Sequence, residues 1–92
     1  MAMTKEDAVR RARADLAQRL GVGENQIREE SVEAADFPDQ SLGAPVEDEM
    51  SADMIASGWR IRLGANQESY EYRADRRQLR LYDFRGDNYL VS

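Results

Sequence analysis

The chain lacks both cysteine and histidine among its 92 residues. Their absence excludes disulfides, thiol nucleophiles, zinc sites built from Cys and His, and every general-base scheme that uses imidazole. A catalyst would have to work with carboxylates, hydroxyls, tyrosine, arginine and the single lysine, Lys5. Because a chain of this size seldom encloses a dry pocket for such chemistry, we expect a protein that is not an enzyme and that holds no cofactor or metal.

Long apolar runs are also lacking. No segment approaches the roughly 20 apolar residues that cross a bilayer, so a membrane is not an expected partner. The first six residues, M-A-M-T-K-E, lack the apolar core of a signal peptide. We therefore expect no signal peptide in this chain, while export with the signal peptide already removed remains an alternative.

Charge is distributed unevenly along the chain. Residues 24–53 contain ten acidic residues and one arginine, whereas residues 59–92 contain seven arginines and five acids. In one interpretation these charges serve solubility. In the other, the acidic part would repel nucleic acid and membranes, and the basic part could take an anion. With 41% hydrophobic and 34% charged residues, residues 1–92 are expected to form one globular domain.

An apolar stripe and two end signals predict a helix over residues 4–20. Thr4 followed by Asp7 resembles a capping box, and Gly21 supplies the left-handed position after the last turn. A helix that is apolar on one side needs a sheet to lie on. The stripe consists of Val9, Ala12, Leu16 and Leu20.

Three stretches of the C-terminal third alternate apolar and polar residues, a pattern typical of antiparallel strands with one wet face. A two-residue turn at 66–67 would place Ile61 opposite Tyr72 on the buried face. The same register pairs Arg62 with Glu71 on the outer face. The strands predicted here cover about residues 58–65, 68–74 and 78–83.

Two further segments are less regular. Residues 27–35 predict a first strand, but the alternation fails between Ile27 and Val32, so either a β-bulge lies between them or the strand starts late. Residues 85–92 are expected to form a partly ordered tail, although residues 89–91 could dock on the domain. The whole pattern predicts an α+β domain, in which one N-terminal helix packs on an antiparallel sheet of three or four strands.

The segment 36–57 has no clean period. Its first part, residues 37–45 (F-P-D-Q-S-L-G-A-P), contains two prolines and a glycine, which exclude a regular helix. Loops of this kind usually hold one shape, and such loops often carry function. In residues 50–56, Met and Ala occupy alternate positions, which predicts an irregular edge strand or a short helical turn.

Four motifs resemble those of a family of small uncharacterised bacterial domains. They are A-R-A-D-L-A-Q-R-L-G-V at 12–22, F-P-D-Q-S-L-G-A-P at 37–45, G-W-R-I at 58–61 and Y-E-Y at 70–72. The resemblance implies a one-helix, antiparallel plan like that of PepSY and cystatin-like domains, often in exported proteins, and it implies no activity. The cysteine of the family's middle motif is Ala44 here, which fits a reducing compartment, so we expect a cytoplasmic protein.

The loop and the segment after it form the first candidate site, a surface that grips a partner protein. In the structural alternative, Phe37 and Leu42 plug the open end of the core and Gly43 permits a positive φ. A calcium site made of Asp36, Asp39 and the acids at 47–49 is a further alternative, although their spacing matches no EF-hand. The predicted partner-binding residues are Phe37, Asp39, Leu42, Met50 and Met54.

A row of arginines forms the second candidate site. The predicted register places Arg60, Arg73 and Arg80 side by side across three strands, on the exposed face of the sheet. Their guanidinium groups could bind a carboxylate, a phosphate or an acidic protein segment. In the structural alternative they extend into water or pair with nearby acids, namely Glu71, Asp75 and Asp83.

The sequence therefore predicts a non-catalytic protein-interaction or regulatory module, which uses the region 36–58 to bind an unidentified protein partner. The alternative is an anion-binding domain that uses the arginine row. Nucleic acid is not an expected partner, because Tyr82 is the only aromatic residue placed on the outer face, whereas stacking platforms use several. The sequence makes no prediction of the oligomeric state.

Overall fold

The computed structural model of the protein describes residues 2–92, which form one helix and one antiparallel sheet. The elements are α1 Lys5–Leu20, a 3-10 turn Glu24–Gln26, β1 Arg28–Phe37, β2 Ala56–Ala65, β3 Glu68–Ala74, β4 Leu79–Phe84 and β5 Asp87–Leu90. Neighbours in the sheet are neighbours in the chain, so the strand order is β1-β2-β3-β4-β5. The α+β class is confirmed, and the predicted number of three or four strands is too low.

The predicted helix forms, and both of its ends are closed as the sequence indicates. The Asp7 N–H donates to the Thr4 hydroxyl at 3.1 Å, and the Thr4 N–H donates to the Asp7 carboxylate at 3.0 Å. That backbone bond from Thr4 is the largest cause of the lowering of the Asp7 pKa to about 2. At the other end, Gly21 adopts a φ of 69° and its N–H bonds to carbonyls of the last turn. Within residues 2–92, no helix has the length and apolar character that a bilayer crossing requires.

Strands β2, β3 and β4 pair in the predicted register. Ile61 lies opposite Tyr72, and Arg62 lies opposite Glu71. Residues 66–67, which join β2 to β3, both have positive φ values, 53° and 68°. This is the type I′ geometry that suits the twist of a hairpin, although neither residue is a glycine. The alternation of apolar residues and the two-residue turn together predicted this register.

The first strand contains the predicted bulge. The pairing of β1 with β2 shifts between Glu29 and Ser31, which leaves Glu30 as the extra residue. The bulge lies between Ile27 and Val32, where the alternation fails. Because of the extra residue, side chains on both sides of the bulge can face α1.

The prediction of a partly ordered tail over 85–92 is wrong, because residues 87–90 form the fifth strand, whereas the alternative of docking holds for Tyr89 and Val91, which pack against the main core. Tyr89 lies opposite Leu81 of β4. Its ring meets the Phe84 ring edge-on, with centroids 6.1 Å apart, and the guanidinium carbon of Arg19 lies 4.5 Å from its centroid. An aromatic anchor against α1 thus holds a strand that is too short to show a clear period.

The main core lies between α1 and the sheet. Tyr72 is its largest fully buried side chain, and its hydroxyl donates to the Asp15 carboxylate at 2.7 Å. Burial, followed by the bond to Asp15, raises the pKa of Tyr72. The residues with no accessible surface in this core are Ala8, Ala12, Leu16, Ile61, Leu63, Tyr72, Ala74, Leu79 and Leu81.

Gly58 marks a very close approach between β2 and β3. A Cβ atom at this position would lie 2.0 Å from the Ala74 carbonyl oxygen, which belongs to the backbone and cannot rotate away. We expect Gly58→Ala to lower the free energy of unfolding by about 2–3 kcal/mol in urea denaturation. Gly23→Ala is the control, because its Cβ would meet only the side chain of Asn25, at 2.7 Å. Equal losses in the two variants would contradict the close approach.

Candidate functional site

Residues 38–55, here called the cover loop, fold over the sheet face opposite to α1. Phe37 at the end of β1 and Leu42 in the loop are buried there together with Ala56. They form a second, small core instead of plugging the end of the main core, which corrects the expected wedge. Residues 50–55 form neither the predicted edge strand nor the predicted helical turn, because β2 begins only at residue 56.

The tip of the cover loop is a tight turn closed by Asp39. One carboxylate oxygen accepts hydrogen bonds from the Ser41 hydroxyl at 2.5 Å, the Ser41 N–H at 2.9 Å and the Gly43 N–H at 3.4 Å. The bond from the Ser41 hydroxyl is the main reason why the pKa of Asp39 is lowered. Leu42 and Gly43 both have left-handed φ values, 60° and 66°. For Leu42 this conformation costs about 1–3 kcal/mol, so other contacts must hold it.

Two arginines of the outer sheet face supply those contacts. The Arg73 guanidinium donates to the carbonyls of residues 42–43, each at 3.1 Å. The Arg80 guanidinium donates to the Ala44 carbonyl at 3.1 Å and forms two parallel bonds of 2.5 Å with the Glu49 carboxylate. Hydrogen bonds from charged donors are roughly twice as strong as neutral ones, so three consecutive carbonyls of the strained turn are held firmly.

A shared carboxylate and an aromatic ring complete the arginine row. Glu71 accepts hydrogen bonds from Arg73 at 2.8 Å and from Arg60 at 3.3 Å. Its other carboxylate oxygen lies 3.4 Å from Arg62. The Phe37 ring lies close to two guanidinium groups, with its centroid 5.6 Å from Arg60 and 5.5 Å from Arg73. These contacts offset the repulsion between neighbouring positive charges.

The structure places the arginine row where it was predicted but does not leave it exposed. Arg60, Arg73 and Arg80 lie side by side across β2, β3 and β4. Arg80 nevertheless retains only 3% of its accessible surface, because the cover loop lies on it. Of the three acids predicted to pair with this row, only Glu71 does so within residues 2–92. Asp75 accepts hydrogen bonds from backbone N–H groups of its own turn, and Asp83 forms no ion pair with residues 2–92.

Glu49 is the partner of Arg80 that sequence reasoning missed. It lies 31 residues from Arg80, and no local pattern connects the two. The bidentate bond from Arg80 is the first cause of the lowered pKa of Glu49. Inside the protein this carboxylate therefore occupies the position that the anion hypothesis assigned to an external ligand.

The predicted partner-binding residues do not share one surface. Phe37 and Leu42 are buried under the cover loop, and the Asp39 carboxylate is used to close the turn. Met50 and Met54 are exposed, with 97% and 64% of their surface accessible. The two methionines are therefore open to a partner and Phe37 and Leu42 are not, while Asp39 is half-buried and shapes the loop that carries the methionines.

Met50, Met54 and Ile55 are the exposed large apolar residues of the cover loop, and we call them the apolar patch. Ile55, which is 72% exposed, was missed, although its position beside Met54 in a segment without a period was a usable signal. Next to the patch, a shallow groove of about 320 Å³ separates the cover loop from the turn at residues 75–77. One wall of the groove is apolar and includes Met54 and Ile55, and the other wall carries Arg76 and Arg77.

Within residues 2–92, no three acidic side chains lie close enough together to hold a metal ion. Three of the carboxylates considered for calcium each bond to a different group of the protein. Asp36 accepts a hydrogen bond from the Ser57 hydroxyl at 2.8 Å, Asp39 closes the loop turn, and Glu49 pairs with Arg80. Their positions support a structural role for each of them.

Glu49→Gln tests the ion pair that holds the cover loop. The variant leaves the Arg80 charge without a carboxylate, so we expect the free energy of unfolding at pH 7 to fall by about 2–3 kcal/mol. The folded pKa of Glu49 is lowered. Its stabilisation is therefore present above the ordinary carboxyl pKa and is lost as the pH falls through the folded value. In urea denaturation, the difference between wild type and variant should shrink below about pH 4.

Glu47→Gln is the matched control, since Glu47 is an exposed acid of the same loop. It should change stability by less than about 0.5 kcal/mol at either pH. Equal losses in the two variants, or a Glu49→Gln difference that is unchanged at pH 3, would show that the ion pair does not hold the loop.

Comparison with known proteins identifies a family. The model of a domain of unknown function, DUF8738, matches residues 9–82. No curated protein and no solved structure is significantly similar to the chain. The matched range contains the whole cover loop and the three arginines of the row. The chain belongs to the DUF8738 family, whose function is unknown.

Proposed function

We propose that this protein is a non-catalytic interaction module, which binds a partner protein through the apolar patch. The observation that carries the proposal is the joint exposure of Met50, Met54 and Ile55, at 97%, 64% and 72%. Exposed apolar side chains that lie close together are typical of interaction surfaces, whereas scattered ones are not, and Met54 and Ile55 are adjacent in the chain and line the same groove. In the described chain, the other exposed large apolar residue is Leu90, on β5.

The backbone that carries the apolar patch is tied to the sheet. The Gln40 N–H donates to the Ala52 carbonyl at 3.1 Å, and the Gln40 side chain donates to the Met54 carbonyl at 3.2 Å. The Gln78 side chain, which precedes β4, donates to the Gln40 carbonyl at 2.6 Å. Because ordering a loop on binding costs free energy, a loop already held in place favours association.

The chemistry of the patch suits a reversible contact with apolar side chains of a partner. Full burial of three such side chains contributes about 5–9 kcal/mol before the costs of association are subtracted. The methionine thioether also adapts to irregular surfaces. These magnitudes favour a regulatory or assembly contact over a permanent interface.

The use of the titratable groups supports a role without catalysis. The lowered pKa values of Asp7, Asp39 and Glu49 all arise chiefly from hydrogen bonds that hold the fold. A carboxyl group that acts as a general acid near neutral pH needs a raised pKa. Tyr72, whose pKa is raised, is enclosed in the main core.

We also propose that the domain is a bacterial relative of PepSY and cystatin-like domains and that it works in the cytoplasm. One helix packed on an antiparallel meander supports the first part of this proposal. Ala44 supports the second part, because it is fully buried and its carbonyl is bonded to Arg80. Packing thus replaces the cysteine that the resemblance placed at this position, as suits a reducing compartment.

The double variant Met54→Ser/Ile55→Ser tests the proposed interaction. Both side chains are exposed, so the free energy of unfolding should change by less than about 0.5 kcal/mol. A protein captured by the wild type from a lysate of the native organism would be purified and its affinity measured by calorimetry. We expect the double variant to bind it at least about ten-fold more weakly, a loss of about 1.4 kcal/mol.

Leu90→Ser is the matched control, because Leu90 is an exposed apolar residue outside the cover loop. It should bind the partner as the wild type does. Leu42→Ala is unsuitable as a binding probe, since truncating a fully buried leucine costs about 2–5 kcal/mol of stability. Equal affinities of the wild type and the double variant would exclude the apolar patch as the binding surface.

A further inference from the structure

A hollow of about 520 Å³ lies between α1 and the turn that joins β3 to β4, and we call it the arginine hollow. We propose that it binds a phosphate group, carried either by a small molecule or by a phosphorylated peptide segment. The arginine hollow is a different cavity from the groove beside the apolar patch, although Arg76 and Arg77 border both. The residues that line the hollow are Ala2, Met3, Arg11, Arg76 and Arg77.

The arginines of the hollow have no carboxylate partner in the described chain. None of the ion pairs formed within residues 2–92 includes Arg11, Arg76 or Arg77. Acids do lie one turn before and one turn after Arg11 on the helix, but both pair elsewhere. The first, Asp7, pairs with Arg10 at 2.8 Å. The second, Asp15, pairs with Arg19 at 2.7 Å.

The turn that carries two of these arginines is fixed in place. One oxygen of the Asp75 carboxylate accepts hydrogen bonds from the N–H groups of Arg77 at 2.8 Å and Gln78 at 3.0 Å. The N–H of Met3, a buried residue, donates to the Arg76 carbonyl at 2.9 Å. The N-terminal segment and the turn are thus joined by a backbone hydrogen bond, which fixes two walls of the arginine hollow relative to each other.

A phosphate group suits this arrangement better than a carboxylate does. A phosphate monoester carries a charge of about −1.5 to −2 at pH 7 and offers three acceptor oxygens to the guanidinium forks. The hollow is larger than a phosphate group alone, so the group to which the phosphate is attached can also enter. Because the chain has a net charge of −5, it does not attract anions as a whole, and binding would depend on this local cluster.

An NMR titration of ¹⁵N-labelled protein at constant ionic strength tests the site. One arm uses pyrophosphate, and the other uses a short phosphoserine peptide with its unphosphorylated form as reference. We expect the amide signals of Met3, Arg76 and Arg77 to shift and saturate, with a Kd below about 1 mM. Binding of pyrophosphate alone would identify a small phosphate compound as ligand. Binding of the phosphopeptide alone would identify a phosphorylated segment, and binding of both would support the phosphate group as the shared determinant.

Matched variants separate the site from general charge effects. Arg76→Gln/Arg77→Gln should weaken binding at least ten-fold, and both residues are exposed, so a thermal melt should show an intact fold. Arg62→Gln should bind as the wild type does, because Arg62 is an exposed arginine on the outer face of the sheet. Absent or non-saturating shifts, equal shifts with sodium chloride, or binding that survives the double variant would overturn the proposal.

Discussion

The paired hydrogen bonds between Arg80 and Glu49 are the interaction on which the outer layer of this domain depends. The Arg80 side chain is 4% exposed, and a charge so deeply covered is stable only beside a carboxylate. Once the pair forms, the carbonyl of Ala44 lies against the same guanidinium group. Arg73, on the adjacent strand, can then hold Leu42 in its left-handed conformation. Without the pair, the strained turn would lose one of the contacts that compensate for its cost, the bond from Arg80 to the Ala44 carbonyl.

The sheet therefore has two covered faces of different chemistry. The helix covers one face with apolar side chains, and the cover loop covers the other with backbone carbonyls that accept from arginine. On the outer face, Glu71 and Phe37 offset the repulsion between neighbouring arginines, because both contact Arg60 and Arg73. The position of the apolar patch follows from this arrangement, because the cover loop holds its buried residues against the sheet and presents Met50 and Met54 to solvent.

The uneven charge distribution also acquires a structural meaning. Part of the acidic segment folds onto part of the basic segment, as Glu49 does onto Arg80, so some of the opposite charges are used within the domain. Arg76 and Arg77 lie outside the contact between the cover loop and the arginine row, and they pair with no acid in residues 2–92. Arginines of the same sequence segment thus serve different purposes, and their exposure separates structural arginines from those that could bind a ligand.

Local patterns in the chain were sufficient for the helix, its caps and the register of β2 to β4, and they located the irregularity of β1 while leaving a bulge and a late start as alternatives. Each depends on residues close together in sequence: Thr4 with Asp7, a two-residue turn at 66–67, and alternation within one strand. The fifth strand, the path of the cover loop and the burial of the arginine row required the folded molecule. Arg80 and Glu49 are 31 residues apart, and Tyr89 is anchored by a residue of the first helix. Such pairs produce no periodic pattern in the sequence, because their residues meet only after folding has brought distant segments together.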